Sequence, residues 1–164
     1  MADLEGGLRT RMILESVLRA VEDDLTTRGW FNDGEFSPIT IIDEYPDEKD
    51  EVAINTLAFS LGDSRTEPME LGARSETVTF PVYVDMFAES DGLGRHVIGD
   101  VYEFVMKNQK FTVYDYRQTT PTAEFVVQYV EYSGGTRKPD RAVNAWQKHW
   151  HVCAFAVADE RSNA

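Results

Sequence analysis

The chain has 164 residues, of which 42% are hydrophobic and 27% charged, and its formal net charge is −13. These are ordinary values for a globular chain able to bury a core without staples, and the acidic balance disfavours binding to nucleic-acid phosphates through a basic surface. The single cysteine, Cys153, excludes an intramolecular disulfide and fits a reducing compartment.

No apolar run approaches the ~20 residues that span a bilayer. The opening stretch Met1-Ala-Asp-Leu-Glu-Gly-Gly has neither the basic flank nor the apolar core of a signal peptide. The expectation is one cytoplasmic domain over residues 1–164, with residues 1–7 and 159–164 as flexible tails.

Leu8 to Arg28 reads as a helix. Ile13, Leu14, Val17, Leu18, Val21 and Leu25 form its apolar stripe, and Arg11, Glu15, Arg19, Glu22 and Asp23 lie opposite. Gly29 stands where a left-handed cap belongs, and Trp30 and Phe31 follow as the apolar residues that seal such an end. Asn32-Asp-Gly34 is a turn, and Ile39-Thr-Ile-Ile42 is a short strand that Pro46 closes. From Asp43 to Glu51 six of nine residues are acidic, with Lys49 the one base. Such a run is ordinarily a solvated loop; its functional reading is that Asp43, Glu44, Asp47, Glu48, Asp50 and Glu51 face an anionic neighbour that must not stick.

Val52 to Leu61 alternates as a strand, with Leu57, Phe59 and Leu61 on one face. Gly62 to Ser75 reads as a 14-residue connection without structure of its own, long for a compact domain. Met69 and Leu71 inside it suggest a docking arm. Thr77 to Ala88 is a strand whose Val78, Phe80, Val82, Val84 and Met86 share the core face. Pro81, on the other face, has no N–H to give a ladder and calls for an edge or a bulge.

Ser90 starts a second helix, in which Val97, Ile98, Val101, Phe104 and Val105 repeat at helical spacing. Gly99 interrupts it, either by accident or for a close approach. Phe111 to Tyr116 and Glu124 to Ser133 are strands, and Gly134-Gly135 ends the second. Thr136 to Arg141 is the only locally basic loop. Trp146 to Val157 is the last strand: Trp150, Val152, Ala154 and Ala156 line one face, His149, His151, Cys153, Phe155 and Val157 the other. The order α-β-β-β-α-β-β-β points to an α+β sandwich of two layers, two helices on a largely antiparallel or mixed sheet.

The chemistry is sparse. His149, His151 and Cys153 share one strand face, but zinc needs a fourth donor that nothing specifies, so no metal ligand set is assigned. Neighbours two apart on a flat strand do not set a cysteine nucleophile against a histidine base. Gly92-Leu-Gly94 lacks the rest of any phosphate-binding fingerprint. No catalytic residue and no cofactor are expected. A rival reading from another class is a small enzyme or ligand binder with a cleft near Trp146, Trp150 and His151.

An N-terminal amphipathic helix leads to a hairpin with a long tip loop, then a strand, a crossing helix, and a last strand pair ending in Trp146-Gln-Lys-His-Trp150-His-Val. This order resembles the tail terminator proteins of long-tailed bacteriophages over nearly the whole chain, and head-to-tail joining and tail completion proteins in outline. The resemblance implies a structural virion protein of the tail, not an enzyme. Such proteins form a ring, usually of six subunits, on the last disc of the tail tube, where they stop its polymerisation and meet the head connector. The implied partners are further copies of the chain, the tube protein and the connector, with DNA passing through the ring unbound. On that reading Met69, Leu71, Arg137, Lys138, Arg141 and Trp146 are candidate interface or docking residues. The acidic run either meets the basic loop of the next subunit or lines the bore.

Overall fold

The computed structural model describes residues 7–30, 39–44, 55–68, 75–132 and 149–162, and the statements that follow concern these. The elements are α1 (Gly7–Thr27), β1 (Thr40–Ile42), β2 (Thr56–Leu61), β3 (Arg65–Pro68), β4 (Ser75–Ala88), α2 (Asp91–Lys107), β5 (Lys110–Asp115), β6 (Thr122–Val130) and β7 (His149–Ser162). The strands form one mixed sheet in the order β1-β2-β4-β7-β6-β5, with β3 also paired to β4. Only β1 and β2 run parallel. Two helices against one sheet make the α+β, two-layer arrangement that the apolar periodicities require.

The helix stripes seat as their spacing dictates. Ile13, Val17, Val21 and Leu25 of α1 are fully buried, as are Val97, Val101 and Val105 of α2. They meet Val82, Val84, Val113, Val127, Phe155 and Val157 from four strands in a single core. Each such side chain contributes about 1.5–3 kcal/mol by leaving water, which is why the helices lie across the sheet rather than in solvent. The end of α1 is a Schellman motif: Trp30 N–H donates to the Leu25 carbonyl and Gly29 N–H to that of Thr26, both at 3.0 Å. Gly29 has φ 88°, a conformation open to glycine. Ser90 caps α2, its hydroxyl accepting from Leu93 N–H at 3.2 Å. The two helices are tied where Trp30 Nε1 donates to Asp100 at 2.8 Å and Arg28 Nη1 to the same carboxylate at 3.1 Å.

Three expectations are corrected. The connection from Gly62 to Ser75 is not structureless, since β3 pairs with β4 from Arg65↔Thr79 to Pro68↔Glu76; four strands, not three, precede α2. The short polar run Arg65-Thr-Glu-Pro68 hides this strand because it has no apolar alternation to read, and Arg65 and Thr66, on opposite faces, are both exposed. Residues 159–162 are strand rather than frayed tail, since β7 stays paired with β4 as far as Ser162. Gly99 makes no close approach, for a Cβ there would meet nothing within 4 Å. The helix glycine that does is Gly94, whose Cβ would come within 2.5 Å of the His151 ring.

Pro81 resolves as a bulge, not an edge. β4 is interior to the sheet, and where β2 gives way to β3 the neighbouring strand skips: Leu61 pairs with Val82, Arg65 with Thr79. Gly62 N–H donates to the Pro81 carbonyl at 2.9 Å. A Cβ on Gly62 would lie 2.7 Å from the proline ring, so the residue facing Pro81 has to be glycine. The missing N–H thus falls where the ladder is already broken.

Candidate functional site

Most residues singled out from sequence lie outside the described residues: Met69, Leu71, Arg137, Lys138, Arg141, Trp146, Asp47, Glu48, Asp50 and Glu51. Asp43 and Glu44 are described; both are exposed and directly follow the edge strand β1. Neither makes an ion pair among the described residues.

The cleft imagined near Trp150 and His151 does not form from these two residues. As successive residues of β7 they face opposite sides of the sheet. Trp150 packs with Ala58 and Phe87 on the face away from the helices, and its Nε1 donates to Asp85 at 3.0 Å. His151 lies under the first turn of α2, with Nε2 3.0 Å from an Asp91 oxygen but not aligned for a hydrogen bond. Cys153 is buried, and desolvation pushes its thiol up to about 12, so it stays protonated near neutrality. Among the described residues no group of three or more His, Cys, Asp or Glu is arranged to hold a metal.

What the fold does assemble is a fork between β6 and β7. The two strands pair only from Gln128↔Ala158 to Val130↔Ala156. Beyond that β7 continues with β4 and β6 with β5, and the strands part around a notch of about 180 Å³ lined by Lys110, Val126, Val127, Gln128, Ala158 and Glu160. On the helix side the fork is bridged by one side chain. Arg9 of α1 donates through Nε and Nη2 to the two oxygens of Asp159, both at 2.6 Å, and its guanidinium stands 3.6 Å from the centre of the Phe125 ring. Arg9 therefore holds β7 by a bidentate ion pair and β6 by a cation–π contact.

Asp159 is fully buried and also accepts from Arg161 Nε at 2.8 Å. Two guanidiniums thus share one carboxylate, and a single unpaired charge at that depth would be costly. No local motif announces this cluster, because Arg9 and Asp159 are 150 residues apart. The signal available was parity: Cys153, Phe155, Val157 and Asp159 occupy one face of β7, so the acid had to be buried if the strand ran on.

Among the described residues the main path of the sheet ends in two unlike edges, and β3, paired with β4, leaves a shorter third. At the β5 end, the Tyr114 N–H donates to Ser16 Oγ of α1 at 3.0 Å, beside a register shift between Val113 and Tyr114. Asp115, 3% exposed, is held by Arg117 through the backbone N–H, Nε and Nη2 at 2.7–3.0 Å. These hydrogen bonds lower its carboxyl to about 2. The helix, the bulge and the arginine blunt that half of the edge. The other half, Lys110 to Val113, has no such cover among the described residues. Lys110 is exposed and makes no ion pair among them. At the far end of the sheet β1 pairs only with β2, through Thr40, Ile41 and Ile42.

No family model matches the chain, and no curated protein matches it. The solved structures similar to it in outline include a cryo-EM structure described as the sheath/tube terminator of an extracellular contractile injection system, PVC, in the extended state. The superposition has a TM-score of 0.46 at 15% identity and covers 90% of this chain. It covers 55% of that chain, so the present sequence spans about half the length of the neighbour.

Proposed function

We propose that this chain is a structural assembly protein of the tail-terminator kind. Copies associate head to tail into a closed ring, of six subunits in the family it resembles. The ring caps a tail tube, ends its polymerisation and offers a surface to the head connector. Beyond the element order, the observation that carries this reading is the pair of unlike sheet edges. A chain whose two ends present different surfaces is suited to heterologous contacts, which generate rings when the rotation closes. Met69, Leu71, Arg137, Lys138, Arg141 and Trp146 remain the proposed docking residues, and Asp43 to Glu51 the proposed acidic interface or lumen. With a net charge of −13, such a lumen would repel DNA phosphates and let a genome pass without adsorbing.

The test is electron microscopy of particles made with and without this protein, beside the sedimentation mass of the purified chain. The expected result is rings in solution, and tails of uncontrolled length when the protein is missing. Normal tail lengths in its absence would refute the reading.

A further inference from the structure

We infer that neighbouring copies meet sheet edge to sheet edge, β1 of one against the uncovered half of β5 of the next, with Asp43 and Glu44 facing Lys110 across the contact. The inference rests on the ring reading and assigns its interface. Four observations carry it.

First, β1 and β5 end the main path of the sheet, β3 being a separate short edge paired with β4, so a contact between β1 and β5 is heterologous and uses each of these two edges once per copy. Second, the β5 edge is closed from Tyr114 onward by Ser16 and by the Asp115–Arg117 pair, while no described residue covers it from Lys110 to Val113. An exposed edge of this kind is a template for another strand, and β1, three residues long, matches the open length.

Third, charges of opposite sign that have no ion-pair partner among the described residues stand at the two edges. Most arginines and lysines of the described residues are committed within the chain, as Arg9 and Arg161 are to Asp159, Arg19 to Glu15, Arg95 to Asp91 and Lys107 to Glu103. Among the described residues Lys110 has no such partner, and neither has Asp43 nor Glu44. Fourth, the residues that would pair are otherwise uncharged: Thr40-Ile-Ile42 on one edge, Phe111-Thr-Val113 on the other. In a chain of net charge −13, an uncharged seam flanked by a +1 and a −2 cluster is where two like molecules repel least. The occupant of the β5 edge is therefore a second copy.

The experiment is charge exchange with rescue, read as sedimentation mass at low and high ionic strength. Lys110→Glu should weaken assembly roughly tenfold, with Lys110→Ala between it and wild type, because removing a rim charge costs less than reversing it. Asp43→Lys with Glu44→Lys should weaken it similarly. All three substitutions together should restore assembly. Glu124→Lys, exposed on the outer face of the same hairpin but away from the edge, should change little. Thermal unfolding of every variant should match wild type, since the substituted side chains are exposed. If the wild-type chain assembles and Lys110→Glu assembles equally well, or the triple variant regains nothing, the edge assignment is overturned while the ring stands. A wild-type chain that stays monomeric overturns both.

Discussion

The phenol of Tyr129 shows how far packing rules over polarity in this core. Its ring stacks on Phe111 at 4.3 Å and meets the edge of Phe155 at 5.2 Å, while its hydroxyl is buried with no hydrogen-bond partner among the described residues. Burial drives its ionisation well above the usual tyrosine range. A desolvated, unpaired hydroxyl costs about 1–3 kcal/mol, so Tyr129→Phe should raise stability by about 1 kcal/mol in chemical denaturation. A loss of stability would mean that the hydroxyl has a partner. Asp115 behaves in the opposite sense. Its folded value of about 2 lies below the ordinary 3.8, so the unfolded chain takes up the proton first. The stability this contributes is present in full above about 4 and is lost as pH falls towards 2. Arg117→Ala should therefore lower stability at neutral pH and flatten its decline between about pH 4 and 2, both followed by circular dichroism.

At the level of elements, the weak seam is the one between β6 and β7. Three residue pairs, the Tyr129–Phe155 contact and one arginine join strands that otherwise belong to different halves of the sheet. Arg9→Ala leaves Asp159 with Arg161 alone and empties the space over Phe125. The expected loss is about 2–4 kcal/mol, near the range for breaking a buried pair. Hydrogen exchange should quicken first at Phe125 to Val127 and at Asp159 to Arg161, and exchange unchanged at those amides would show that the fork is held by something else. This seam is also where sequence reading stops. The helices, their faces, the caps at Ser90 and Gly29 and the strand alternations are local patterns with periods of two or 3.6, and they could be read directly. Which strand pairs with which is not local. β3 escaped because its four residues carry no apolar alternation, and the end of β7 escaped because Asp159 and Arg161 look like a polar tail until Arg9 is placed beside them. The candidate site fared worse than the fold. A free lysine and a free acid pair have meaning only once the sheet has put them on opposite edges, and spacing along the chain carries none of that.

Across the whole molecule, the 13 excess negative charges make every copy repel every other at distances up to about the screening length of ~8–10 Å. Attraction between copies has to be short-ranged and directional, which is what strand edges supply. Such edges are also a hazard, since a sheet that can add a strand correctly can add it one residue out of step. The broken ladder at Pro81 bears on that hazard from inside the chain. Sliding β2 and β3 along β4 by one residue would carry the skip away from the proline. An intact stretch of ladder would then face a position with no N–H to offer, and a side chain bearing a Cβ would be driven against the ring where Gly62 now sits. The proline thus works as an alignment key: misregistered sheets lose a hydrogen bond and gain a clash at the same point. The register of the sheet is thereby guarded from within the chain, apart from the edges proposed to meet other copies.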